Sequence, residues 1–307
     1  MIKFNKKLVF IILIGFLIGL ILFLPTMAFK SVLLANLRKQ TGLDIQIATM
    51  DITTGLDLGL KGGLIGLGGK GLSIPVNSQN IECSEYKLIP GFLNLITGKV
   101  TVTVYCKLAD GFGEFTAFAA GKRFYKNDSF DINVSFDNLN ALLIEKQTGG
   151  VLGKFTGKVE VTDYNTKKNS FNVDSVNITG VDVSTPYLNL NFLSFPKLDF
   201  DDLKLIASMA DKKLTIDTLI AGNDNSLVQL KINKSILGLN NQKLPTSGEL
   251  VGSLRTDANF EEEYLKKNLN LDLIFGKINP SGVRSFKKVV KPGFTWILSP
   301  PIDSGTN

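Results

Sequence analysis

Hydrophobic and polar positions change their spacing twice along this chain, and each change marks a different kind of structure. From Leu8 to Leu24 (LVFIILIGFLIGLILFL) no side chain is polar. At 1.5 Å rise per residue this run spans roughly 25 Å as a helix. Continuing through Pro25, Met27, Ala28 and Phe29 brings it to about the hydrocarbon thickness of a bilayer. No water is present there to bond the backbone, so such a segment crosses as a helix. From Ser31 to Gly42 (SVLLANLRKQTG) the apolar residues Val32, Leu33, Ala35 and Leu37 have helical spacing, with Gly42 placed as a C-terminal stop. After Gly42 the period becomes two. Leu43, Ile45 and Ile47 alternate with Asp44, Gln46 and Ala48, the pattern of a half-buried strand.

That alternation recurs almost to the end. It is carried by Val100–Val102–Val104, Phe115–Ala117–Ala119, Ile132–Val134–Phe136, Val159–Val161, and Phe171, Val173, Val176 and Ile178. It continues in Leu214–Ile216–Leu219–Ile220, Leu227–Leu230–Ile232, Leu250–Gly252–Leu254 and Leu269–Leu271–Leu273. Turn residues separate the runs at Ala109-Asp110-Gly111, Lys126-Asn127-Asp128, Thr148-Gly149-Gly150, Gly222-Asn223-Asp224-Asn225 and Thr246-Ser247-Gly248. Many short strands at near-regular spacing predict antiparallel β architecture. Four short helices are expected among them: Pro90–Thr97, Asn138–Lys146, Asp201–Ala210 with Asp201 as N-cap, and Phe260–Asn268. In the last, Glu262/Lys266 and Glu263/Lys267 have i,i+4 spacing, and Glu261-Glu262-Glu263 reads as a solvated helix face. The glycine-dense stretch Gly55–Gly71 lacks the ending of a phosphate-binding loop and reads as a bent strand with close backbone approach. The expected organisation is a tail over 1–7, a transmembrane helix over 8–29, an elongated antiparallel β domain over 30–298 and a loose tail over 299–307.

Charge bears on orientation and on partners. Lys3, Lys6 and Lys7 precede the apolar run and favour an N-terminus inside, although Lys30, Arg38 and Lys39 lie beyond it. A cleaved signal peptide is the competing reading, since Thr26 and Ala28 are small residues where a signal peptidase would act. Either way the bulk of the chain is exported. Gly15 and Gly19 place two small residues on one helix face, a candidate helix–helix contact. The 307 residues carry 34 Lys and Arg against 28 Asp and Glu, but that net +6 is scattered. No basic stripe with interleaved aromatics supports nucleic-acid binding.

Candidate chemistry is sparse. The chain has no histidine, which excludes Ser–His–Asp and Cys–His catalysis. Two cysteines cannot build a four-thiolate zinc site. No catalytic, metal or cofactor residues are expected, and the chain is not expected to be an enzyme. Cys83 and Cys106 lie in strand-like runs on either side of the Pro90–Thr97 segment. In an oxidising compartment such a pair joins, and the alternative is two small buried hydrophobes.

A short basic tail, one membrane helix and then a strand-rich exported domain resemble the type II secretion system protein N family, in its version related to AsmA-like envelope proteins. Three stretches carry the likeness. They are PGFLNLITGKVTVTVYCKLADGFGEFTAFAAG (Pro90–Gly121), FDDLKLIASMADKKLTIDTLIAGNDNSLVQLKIN (Phe200–Asn233) and TSGELVGSLRTDA (Thr246–Ala258). The resemblance implies a single-pass protein of the bacterial inner membrane with its bulk in the periplasm, a non-enzymatic accessory of type II protein secretion. Its partners would be the bilayer and other secretion-system or envelope proteins. The AsmA likeness implies an alternative, lipid binding or transfer on a bent sheet with an apolar inner face. The 21 phenylalanines could line such a face or form ordinary core.

Overall fold

The computed structural model describes residues 30–32, 34–35, 38–39, 44–55, 63, 65–76, 79–91, 99–121, 129–144, 150–165, 170–186, 188–190, 193–195, 197–240, 245–262 and 277–290. The expected transmembrane helix, with Gly15 and Gly19, lies outside them, as do Leu269–Leu273 and the tail over 299–307. Among the described residues no helix is long and apolar enough to cross a membrane. The described positions between 30 and 39 are helical. Nearly everything after them is antiparallel sheet, and the chain divides into two compact units: residues 1–97 with 101–110, and 98–100 with 111–307.

The first unit holds β1 (Gln46–Ile47), β2 (Asp51–Thr54), β3 (Ile65–Val76), β4 (Gln79–Pro90) and β5 (Val100–Leu108). β1 and β2 both pair with β3, whose other side takes β4, and β4 pairs with β5. The strand expected over Leu43–Ala48 is thus only the two residues of β1. Its core is Met50, Leu72, Cys83, Tyr86, Ile89, Cys106 and Leu108. The glycine density of β3 has a packing reason. Gly69 sits opposite Tyr86, and a Cβ there would lie 2.1 Å from the Thr49 carbonyl oxygen. Without a side chain at 69, the Tyr86 hydroxyl reaches across and donates to that carbonyl at 2.8 Å. Burial, and secondarily the Asp51 carboxylate, push the Tyr86 phenol up to about 12, so the hydroxyl keeps its proton and its bond far into alkaline conditions.

The second unit holds β6 (Glu114–Gly121), β7 (Ser129–Asn140), β8 (Leu152–Asn165), β9 (Ser170–Thr185), β12 (Leu198–Ala210), β13 (Lys213–Ala221), β14 (Val228–Leu239), β15 (Pro245–Thr256) and β16 (Val283–Val290), paired in that order. A small hairpin, β10 (Leu188–Leu190) with β11 (Leu193–Phe195), stands apart from the main ladder. Asp211 and Lys212 both have positive φ, at 48° and 62°, the two-residue turn whose twist suits a tight hairpin. It joins β12 directly to β13 with Ala210 opposite Lys213.

Three expectations are corrected here, and a fourth is described only at its first two residues. Asp201–Ala210 is not a helix but the body of β12, paired with β9 on one side and β13 on the other. Leu203, Leu205, Ala207 and Met209 alternate, and two neighbouring ladders outweigh a modest helical propensity. Asp201 is not an N-cap; it sits at a bulge with φ 61°. Pro90 does not start a helix but ends β4 opposite Val102; residues 92–98 lie outside the described part. The helix expected at Asn138–Lys146 is a single 3₁₀ turn over Ala141–Ile144, because Asn138–Asn140 still belong to β7. Thr246-Ser247-Gly248 is not a turn but the start of β15. Gly248 is required there because a Cβ would stand 2.1 Å from the Ile236 carbonyl oxygen.

Candidate functional site

Residues opposite one another in an antiparallel pair point to the same face, so the register defines which side chains share a surface. In the second unit it lines up four apolar rows across the strands. One row runs Ala119, Ile132, Val161, Val173, Met209, Leu214, Leu237, Gly248 and Val290. A second runs Ala117, Val134, Val159, Val176, Ala207, Ile216 and Ser235. A third runs Phe115, Phe136, Gly157, Ile178, Leu205, Leu219, Ile232, Gly252 and Phe286. The fourth runs Leu139, Phe155, Gly180, Leu203, Ala221, Leu230, Leu254 and Arg284. Of these residues only Arg284 is ionisable, and the half-buried Lys288, opposite Leu250 between Phe286 and Val290, adds a second cation to the same face. The opposite face carries Thr116, Ser135, Lys158 and Asn177 in one row and Phe118, Asn133, Glu160 and Ser175 in the next, so it is mostly polar.

Two glycines within the rows let aromatic rings reach across to the neighbouring strand. A Cβ at Gly252 would stand 2.8 Å from the Phe286 ring, and one at Gly180 would stand 2.8 Å from the Phe155 ring. Each ring therefore occupies the space a neighbour's side chain would take.

Burial along the face is uneven. From β6 to β9 its residues, Phe115, Phe136, Phe155, Val159, Val176 and Ile178 among them, are half-buried apart from Gly180, which the Phe155 ring covers. In β12 and β13 half-buried and buried positions mix. At β14–β16 the face closes over Ile232, Leu237, Leu250, Leu254, Phe286 and Val290, all at or below 9% exposure. Phe260, from the helical turn Ala258–Phe260, joins that cluster together with Val183, Leu198 and Phe200.

The closed end has a polar fastening. Arg284 and Glu261 form an ion pair, with Arg284 Nη2 donating to Glu261 Oε2 at 3.2 Å and Nη1 to the other carboxylate oxygen. Nη1 also donates to Thr256 Oγ1 at 3.2 Å, and the Thr256 hydroxyl donates to Glu261. The side chains of Arg284 and Glu261 are 6% and 19% exposed. Glu261 is thus not part of a solvated helix face, a correction to the reading of Glu261-Glu262-Glu263; only Glu262 of the described pair is exposed. The turn Gly222–Asn225 is found as expected, and it is tied down. Arg255 Nη2 donates to the Asn223 carbonyl at 2.7 Å, and the Asn223 amide donates to Asp202 Oδ2 at 2.8 Å. The buried Ser226 hydroxyl lies 2.9 Å from both the Phe200 carbonyl oxygen and Asp201 Oδ2.

The sequence-derived candidates fall elsewhere. Cys83 and Cys106 are joined as a disulfide in the first unit, with Cα atoms 5.5 Å apart and both residues buried. Among the described residues no group of three or more acidic or cysteine side chains could hold a metal ion. The alternation in sequence gave the apolar positions, but not that their registers coincide strand after strand. Arg284 and Glu261 carried no signal, because 23 residues separate them.

No protein-family model, no curated protein and no solved structure matches this chain.

Proposed function

We propose that this chain is a non-enzymatic envelope protein that holds lipid acyl chains against the apolar face of its second unit. The observation that carries the reading is the half-buried stretch of that face over β6–β9, apolar in every row and backed by a mostly polar opposite face. A half-buried apolar face still leaves apolar area in water, which a bound acyl chain would cover. An anchor at 8–29 would tether the chain to the bilayer that supplies such a ligand. Purified full-length protein should carry co-purifying phospholipid, detected by mass spectrometry after extraction. Replacing Val134, Val159 and Ile178 with aspartate together should reduce that lipid at least tenfold while the strand signature in circular dichroism persists. Equal lipid in both proteins would refute the reading.

A second reading, accessory to type II secretion as the family likeness implies, draws support from a different surface. On the opposite, mostly polar face Ile236, Val251 and Val289 are 54%, 40% and 61% exposed. The registers place them around the exposed Glu249–Lys287 ion pair, two positions apart at most. A partner protein packing there would cover apolar area that water otherwise faces. Photocrosslinkers at Val251 and Val289 should capture a secretion component in intact cells. Unchanged secretion in a strain lacking this protein would reject this role.

A further inference from the structure

We propose that the outer edge of β16 accepts one extended strand of a partner protein, antiparallel to it, with an acidic side chain opposite Lys288 and apolar side chains opposite Lys287 and Val289. This rests on the second reading above, in which a partner covers Val251 and Val289, and gives that partner its chemistry. The first support is the hydrogen bonding of β16. It is the last strand of its ladder, and among the described residues it pairs with β15 alone. At its start the Val283 amide donates to the Asn279 side chain at 3.0 Å, and the Val283 carbonyl accepts from the Asn279 amide at 3.0 Å. Val283 thus turns both backbone groups away from β15. Such groups alternate sides along an antiparallel strand, so Ser285, Lys287 and Val289 turn theirs outward too. β15 agrees in phase. Val251, opposite Lys287, gives its amide and carbonyl to the Ser235 hydroxyl on β14, at 2.9 Å and 3.4 Å. The outward groups of β16 form an open template for an added strand.

The side chains define what that strand carries. On the mostly polar face Val289, Val251 and Ile236 are exposed around the Glu249–Lys287 pair, and apolar residues laid beside them would exclude water. On the other face Lys288 is half-buried between Phe286 and Val290, without an acidic partner among the described residues. Successive residues of a strand point to opposite faces, so one acid between two apolar neighbours meets Lys288 and the Val289 patch together. Lys288 bonds inward to β15, so its outer neighbour would form a pair without hydrogen bonds, the kind in which opposed side chains lie closer. A second copy of β16 suits the edge poorly. Full antiparallel overlap of Ser285–Val289 sets Lys287 opposite its own copy, and like charges directly opposite are destabilising.

The test uses full-length protein in amphipol and a fluorescent seven-residue peptide in which valines alternate with threonine, glutamate and threonine. It should bind at least tenfold tighter than the same peptide with lysine for glutamate, and Lys288→Glu should reverse that order. N-methylation of the valine amides, which would face β16, should weaken binding at least tenfold. N-methylation of the intervening amides should not. Hydrogen exchange on unaltered protein stands beside the variant. In free protein the amides of Ser285, Lys287 and Val289 should exchange fast and those of Phe286 and Lys288 slowly, and the peptide should slow the first three. Slow exchange at Lys287 in free protein, indifference to N-methylation of the valines, or equal binding of the two peptides overturns the added strand. So does a dimer crosslinked through position 287. If photocrosslinkers at Val251 and Val289 still capture a secretion component, the second reading survives that failure; if they capture none, both fall.

Discussion

Replacing Arg284 with methionine is expected to lower the stability of the second unit by about 3–5 kcal/mol, the usual cost of stranding one half of a buried ion pair. Arg284 closes the fourth apolar row, beside Leu254 and one pair from the Phe286 ring. Its guanidinium bonds both oxygens of Glu261 and the hydroxyl of Thr256. Methionine would fill much of the volume but leave a carboxylate, 19% exposed, without its cation. That group would have to protonate, or the turn bearing Phe260 would have to swing out to hydrate it, and either route costs free energy. The double variant Arg284→Met, Glu261→Met separates this account from simple loss of packing. Exchanging both charges for apolar groups of similar size is often neutral or stabilising, so the double variant should recover most of the loss. Denaturant titration followed by far-ultraviolet circular dichroism measures both, with the midpoint moving and the slope unchanged. A single variant as stable as the wild type, or a double variant no better than the single, would contradict the buried-pair account.

How much of this was legible beforehand depends on the range of the interaction involved. The period-two runs Val100–Val104, Phe115–Ala119, Ile132–Phe136 and Leu250–Leu254 are strands where expected, because alternation is a local signature of a two-sided sheet. The segment Asp201–Ala210 misleads a local reading. Its two leading aspartates resemble a helix start, whereas they sit at a bulge whose neighbours lie on β9, about twenty residues earlier. Gly248 and the two residues before it resemble a turn for the same reason. Glycine is called for there by the approach of β14, which a local window does not contain. The apolar face is legible strand by strand, but its continuity is not, since it depends on eight registers agreeing at once. Its fastening is the least legible part. Glu261 lies in a run of three glutamates that any helical wheel would turn to water, and only the fold brings Arg284 to it.

The second large effect concerns the first unit. Replacing both Cys83 and Cys106 with alanine should cost about 3 kcal/mol, since the bridge closes a loop of 23 residues and restricts the unfolded chain accordingly. The sulfurs lie between neighbouring strands, Cys83 on β4 and Cys106 on β5, at 1% and 0% exposure. Two consequences follow from that burial. A reductant should not reach the bridge until the strands open, so native protein should resist dithiothreitol at concentrations that reduce it fully in denaturant. The loss in the variant should also concentrate in β3, β4 and β5, read as faster amide hydrogen exchange in those strands. Small cores gain proportionately more from such a crosslink, and the first unit's core is Met50, Leu72, Tyr86, Ile89 and Leu108 around the two cysteines. Free thiols found by alkylating unreduced, denatured protein would disprove the bridge itself. Unchanged stability in the double-alanine variant would mean that the two side chains matter there only as small buried hydrophobes.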